Sequence, residues 1–205
     1  MKRKFAKASS SAILPMSFVL SLVIFAPGYS FAQSGASQAS EMVFVKAAFN
    51  DTVDGSKIKP GDAVQLTVSK KAKLKDGTEL PVGTAIVGEV AADDMQLTGA
   101  SKVALRFTKV QIKNGKSFPI KATIQGILPP AGSGPSGTVD NPGYDSVNAA
   151  SQPHASVDEA EALDGLDLHS KIASSNSGVL VATSKHGVKV KRGTELSLAI
   201  AAQAN

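Results

Sequence analysis

From Glu41 onward apolar residues recur at every second position, the period of a half-buried β-strand rather than of a helix. MVFVKAAF predicts a first strand with Val43 and Val45 facing one way. Val64, Leu66 and Val68 then alternate with Gln65, Thr67 and Ser69, and the stretch from Thr84 to Ala91 places Ile86, Gly88 and Val90 on one side. Val103, Leu105 and Phe107 keep the rhythm, slip by one residue and resume at Val110 and Ile112, which predicts a β-bulge inside a long strand. After a turn at Lys113-Asn114-Gly115, the series Phe118, Ile120, Ala122, Ile124 runs toward Pro129-Pro130, a pair that stops a strand. The pattern returns in GVLVATSKHGVKV and TELSLAIAA, and this last unit is expected to pair with the sheet built before the break.

The punctuation between these strands is itself repeated. DGSKIKPGDAVQLTV from Asp54, DGTELPVGTAIVGEV from Asp76, NGKSFPIKATIQGIL from Asn114 and HGVKVKRGTELSLAI from His186 share one internal spacing. Each has a turn dipeptide, an apolar residue, a second turn or kink, and then alternating apolar positions. Asp, Asn, His and Gly tolerate the positive φ that tight turns require. The later glycine, at Gly61, Gly83 and Gly193, predicts a bulge or corner, and the third copy carries Lys121 in its place. Duplication and convergent turn grammar both account for the likeness.

Residues 129 to 164 differ in kind, being rich in Gly, Pro, Ser and Ala with no sustained period. Such a length is expected to be a disordered excursion, with a functional loop as the alternative and Tyr144 as its aromatic residue. Ser156-Val157-Asp158-Glu159 has capping-box spacing, which predicts a short helix over SVDEAEAL. The fold expected is all-β: one domain over 41 to 201, a small antiparallel barrel or sandwich of about seven or eight strands with a long disordered insertion.

Composition sets the compartment. Residues 1 to 32 read as a cleaved signal peptide: a basic start at Lys2, Arg3, Lys4 and Lys7, an apolar stretch from Ala12 to Ala26, and small residues around Ala32. That stretch is short of the roughly 20 residues that cross a bilayer, so no stable membrane span is expected after cleavage. Residues 33 to 40 are expected to be a flexible leader. Of 22 Lys and Arg and 17 Asp and Glu, the first 32 residues hold four basic and no acidic ones, so the remainder carries 18 against 17. The basic balance thus belongs to the export signal and gives no reason to expect nucleic-acid binding. Cysteine is absent, so stability in an oxidising compartment must come from an aliphatic core. The basic run Lys70 to Lys75 sends Lys71, Lys73 and Lys75 to one face if extended, a solvated sheet face or guarded edge.

No residue is assigned a catalytic, cofactor-binding or metal-binding role. His154 falls in the excursion, His169 at an expected element boundary and His186 in a hairpin turn, which predicts no preformed metal site. Asp93-Asp94 reads as a polar turn, because neighbours on an extended chain point apart. Asp51-Thr52-Val53 and Asp76-Gly77-Thr78 lack the order of a protease loop, and neither a Gly-x-Ser-x-Gly elbow nor a phosphate loop occurs. The chain is therefore expected not to be an enzyme. A hydrolase would require a concave cluster of ionisable groups near Gly83 and Gly193.

The runs LKDGTELPVGTAIVGEV, SKVALRFTKVQIKNGKSFPIKATIQGI and VKVKRGTELSLAIA resemble a group of uncharacterised exported bacterial β-domain proteins. More distantly they are similar to the C-terminal β-barrel of TrbI-like scaffold proteins of type IV secretion channels. The likeness spans Asp62 to Ala201 without the excursion, and it implies a non-catalytic envelope module. The expected function is binding or scaffolding of an envelope protein or surface component, in the periplasm or outside the cell; the alternative is a part of an envelope transport or secretion assembly.

Overall fold

The structure, a computed structural model, describes residues 39, 41–99, 101–113, 115–130 and 152–203. The expected signal peptide, most of the expected leader, Asn114 and the core of the excursion with Tyr144 lie outside these residues. Among the described residues the regular elements are strands: β1 (Val43–Phe49), β2 (Val53–Asp54), β3 (Ala63–Val68), β4 (Ala72–Lys73), β5 (Glu79–Leu80), β6 (Ala85–Ala91) and β7 (Lys102–Gln111). There follow β8 (Ser117–Leu128), β9 (Ser156–Leu163), β10 (Leu166–Lys171), β11 (Gly178–Ala182), β12 (Lys189–Val190) and β13 (Glu195–Ala202).

Six of these close a barrel. The antiparallel order β6-β3-β1-β13-β8-β7 returns on itself because β6 also pairs with β7. The expected pairing of the terminal unit with the earlier sheet is met twice, since β13 lies between β1 and β8. Inward positions follow the alternation read above: Val45, Ala47 and Phe49; Leu66 and Val68; Ile86; Leu105 and Phe107; Ile120 and Ile124; Leu196 and Leu198 are buried in one cluster. The interior is thus filled by side chains, as a small barrel requires.

Two bulges bend the wall. In β7 the register shifts between Val87↔Lys109 and Gly88↔Phe107, so Thr108 is the extra residue where the apolar rhythm slips. In β8 it shifts between Ser197↔Gly126 and Leu198↔Ile124, which makes Gln125 extra. The space freed in the β7–β8 seam is taken by the second part of the sheet. The two strands pair directly only at Lys109–Gln111 and Ser117–Pro119. Farther along, β11 pairs with β7, and β10 and β9 follow it outward. Ser177 holds the seam: its N–H donates to Leu105 O at 2.7 Å, its Oγ accepts the Phe107 N–H at 2.9 Å, and its O accepts the Ile124 N–H at 2.8 Å.

The repeated punctuation is one turn used three times. Asp62 N–H donates to Lys59 O, Thr84 N–H to Pro81 O and Thr194 N–H to Lys191 O. Gly61, Gly83 and Gly193 occupy the third position with φ of 94°, 85° and 82°, as a type II turn demands. Each turn grips the end of the neighbouring strand in the same way. The glycine N–H donates to Val90, Val68 or Phe49, and that residue's N–H donates back to Asp62, Thr84 or Thr194. The third copy makes no such turn: with Lys121 where the glycine would be, β8 runs straight on to Leu128. The first dipeptide also differs, since Gly55 has no positive φ and its position is packed against Val103 and Val188.

Three expectations are corrected. SVDEAEAL is strand β9, not a helix, and the excursion is shorter than 129 to 164, because Gln152 to Asp164 is ordered chain with Pro153 buried. The reason lies in the partner strand. Asp164-Gly165, with Gly165 at φ 70°, turns the chain into β10, whose register sets Val157 opposite Ser170 and Asp158 opposite His169. Pairing over a whole strand outweighs one local cap. His169 accordingly sits inside β10 rather than at an element boundary, its Nδ1 against Asp158 Oδ1.

Candidate binding groove

Barrel strands that fill the interior with one face must present the other. On β1 the alternation that buries Val45 and Ala47 leaves Phe44 and Lys46 half-buried on the outer side. β4 lies next to this strand. It is held as a ribbon on β5 by Ala72↔Leu80 and Lys73↔Glu79, and its turn is closed by Leu74 N–H to Thr78 O and Gly77 N–H to Leu74 O. Asp76 accepts the Thr78 N–H and its hydroxyl, and these bonds, the backbone one first, hold its carboxyl below the usual range. Leu74 and Leu80 anchor the ribbon in the core, which forces Lys71, Lys73 and Lys75 outward as the alternation predicts.

Between β1 and the ribbon runs an open groove of about 290 Å³. Five lysines line it, Lys46, Lys70, Lys71, Lys73 and Lys75, and among the described residues no acidic one does. Met42, Val43, Phe44, Ala72 and Pro153 supply apolar lining, and Gln152 adds an uncharged polar group. Two carboxylates stand beside it. Glu195 lies 3.8 Å from the Lys46 ammonium and accepts the Ser69 hydroxyl at 2.6 Å. Glu79 meets Lys71 at 2.8 Å, and the hydrogen bond from Lys71 holds its carboxyl below the usual range. Among the described residues the lysines outnumber these two carboxylates, and exposed Lys70, Lys73 and Lys75 make the surface positive.

The sequence predicts a solvated face or guarded edge for the lysine run. The structure gives it a two-residue strand and a concave setting. What sequence reasoning missed is the apposition of MVFVK with KKAKLK, two segments that each signal only themselves.

Other singled-out residues have structural employment. Asp93 accepts the N–H groups of Met95 and Leu97 and pairs with Lys102 at 2.9 Å. Asp94 turns the other way and gathers the Ser174–Asn176 loop, accepting the Ser175 N–H at 2.7 Å and the Ser174 and Ser175 hydroxyls at 2.8 Å. Burial pushes both carboxyls up, but these donors outweigh it and hold both below the usual range. The exposed His154 is tied by its N–H to Gln125 Oε1 at 2.8 Å, and His186 is exposed in its turn. Near Gly83 stands the Lys113 side chain and near Gly193 stands Pro130. Among the described residues no three His, Cys, Asp or Glu side chains converge as metal ligands, and no helix is long and apolar enough to cross a membrane.

Compared with known proteins, the chain matches no family model, and no curated protein is similar to it.

Proposed function

We propose that this chain is an exported, non-enzymatic β-domain that binds or scaffolds in the cell envelope, with the lysine groove as its contact face. The observation that carries this reading is the groove itself: five lysines around a half-apolar hollow on the outer wall of a barrel with a filled interior. Grouping like charges costs free energy through mutual repulsion, and an anionic partner relieves that repulsion. The basic, apolar start of the chain supports export.

The test compares wild-type protein with a Lys70→Glu/Lys73→Glu variant, each purified from cells expressing the full chain and used as bait in envelope extract. Both lysines are exposed, so the fold is kept. Components held by the wild type and absent from the variant are the expected result. Identical recoveries would overturn the reading. Sedimentation velocity on the same preparations addresses the assembly role that the resemblance to TrbI-like scaffolds implies: a large closed ring supports it, and a monomer removes it.

A further inference from the structure

We infer that the groove takes an anionic phospholipid, the phosphate among the lysines and the start of an acyl chain against Phe44, Val43 and Ala72. This rests on the reading of the groove as the contact face and names its ligand class. Three observations narrow the class. First, every cation in the lining is lysine and none is arginine. Arginine's planar fork fixes the orientation of a carboxylate or phosphate, whereas lysines act as point charges that gather around a compact anionic group such as a phosphate without fixing its orientation. Second, the lining includes half-buried Val43, Phe44 and Ala72, whereas Met42 and Pro153 beside them are already covered by the protein. A purely ionic ligand would leave the half-buried side chains against water, and a ligand with a hydrocarbon part covers them. Third, the volume of about 290 Å³ lies at the low end for small-molecule sites, which admits a headgroup with a short length of chain but not two whole acyl tails. The groove is open, so the remaining tails stay in the bilayer or a micelle.

Binding of wild-type protein is measured to phosphatidylglycerol/phosphatidylcholine vesicles, to pure phosphatidylcholine vesicles, to short-chain dihexanoyl phosphatidylglycerol and to inorganic phosphate. The mixed vesicles and the short-chain lipid are expected to bind, and phosphatidylcholine is not. A juxtaposed lysine contributes on the order of fivefold in affinity at an anionic surface, so Lys70→Gln/Lys73→Gln should weaken both by about 25-fold. Phe44→Ala should weaken the short-chain lipid and leave any phosphate binding unchanged. Equal affinity for phosphatidylcholine, or inorganic phosphate competing as well as the short-chain lipid, would overturn the inference. If lipid binding fails while the charge-reversed bait still loses envelope components, the ligand class falls and the contact face stands. If both fail, the parent reading falls as well.

Discussion

Thr84 and Thr194 occupy the same place in two copies of one turn, and in both the hydroxyl is buried without a hydrogen-bond partner. Each is wholly inaccessible, each closes its turn through its N–H, and each accepts from the last residue of the strand alongside, Val68 or Phe49. The backbone is therefore satisfied and the side-chain oxygen alone is not. An unmet buried hydroxyl costs on the order of 1–3 kcal/mol, and valine has nearly the same shape with none of the polarity. Thr84→Val and Thr194→Val should each stabilise the domain by about 1 kcal/mol, raising Tm by about 2–4 °C. Thermal unfolding of the two single variants and the double checks this, with the two gains adding because the turns grip different strands.

Gly88 is fixed by the bulge across from it. With Thr108 looped out of β7, the Arg106 carbonyl lies 2.3 Å from where a Cβ on Gly88 would sit, and a Phe107 ring carbon lies 2.6 Å away. The obstacle includes backbone, so no rotamer relieves it. Gly88→Ala should cost about 1–3 kcal/mol or more, whereas Gly126→Ala in β8, whose nearest neighbour is Ser197 Cβ at 3.9 Å, should lie within about 1 kcal/mol of wild type. Urea unfolding of both variants measures the contrast.

Much of the barrel was legible because its signals are local. Two-residue alternation reports which face is buried, and the slip after Phe107 reports the bulge. The Gly-Thr copies report turns that need positive φ. What sequence did not yield depended on partners distant along the chain. SVDEAEAL carries a capping-box spacing that only the pairing with β10 overrules, although Asp164-Gly165 between AL and LDL is a hairpin signal of the usual kind. The short ribbons β2–β12 and β4–β5 have two residues per strand, too few for any period to register. The groove is a product of β1 meeting β4, and neither MVFVK nor KKAKLK encodes its neighbour.

Ser177 tests how the seam between β7 and β8 is held. Its hydroxyl is the acceptor for the Phe107 N–H, and Ser170 contributes beside it by donating its hydroxyl to Ile124 O at 2.5 Å. Ser177→Ala strands a buried amide and should cost about 1–3 kcal/mol. Amide exchange locates the effect: protection at Phe107 should fall more than at Val45 or Leu66, in the strands β1 and β3 opposite the seam. Uniform loss of protection would mean that the serine acts on global stability rather than on the seam.

The last prediction concerns acid. The Asp93 side chain is only 7% exposed and serves two backbone N–H groups and Lys102. Burial raises its carboxyl pKa, the Lys102 hydrogen bond, the Leu97 N–H and the Lys102 charge lower it, and the net direction is downward. A carboxyl whose folded value lies below the unfolded value of about 3.9 stabilises the fold fully above that pH. Its contribution drains away as the pH falls from about 4 through the folded value, because the unfolded chain then takes up the proton first. Asp93→Asn should cost about 1–2 kcal/mol at pH 7 from weakened hydrogen bonds, and the gap to wild type should narrow steadily from pH 5 to pH 3. Urea midpoints across that interval decide it, since a gap independent of pH would place the effect in packing rather than in the charge of Asp93.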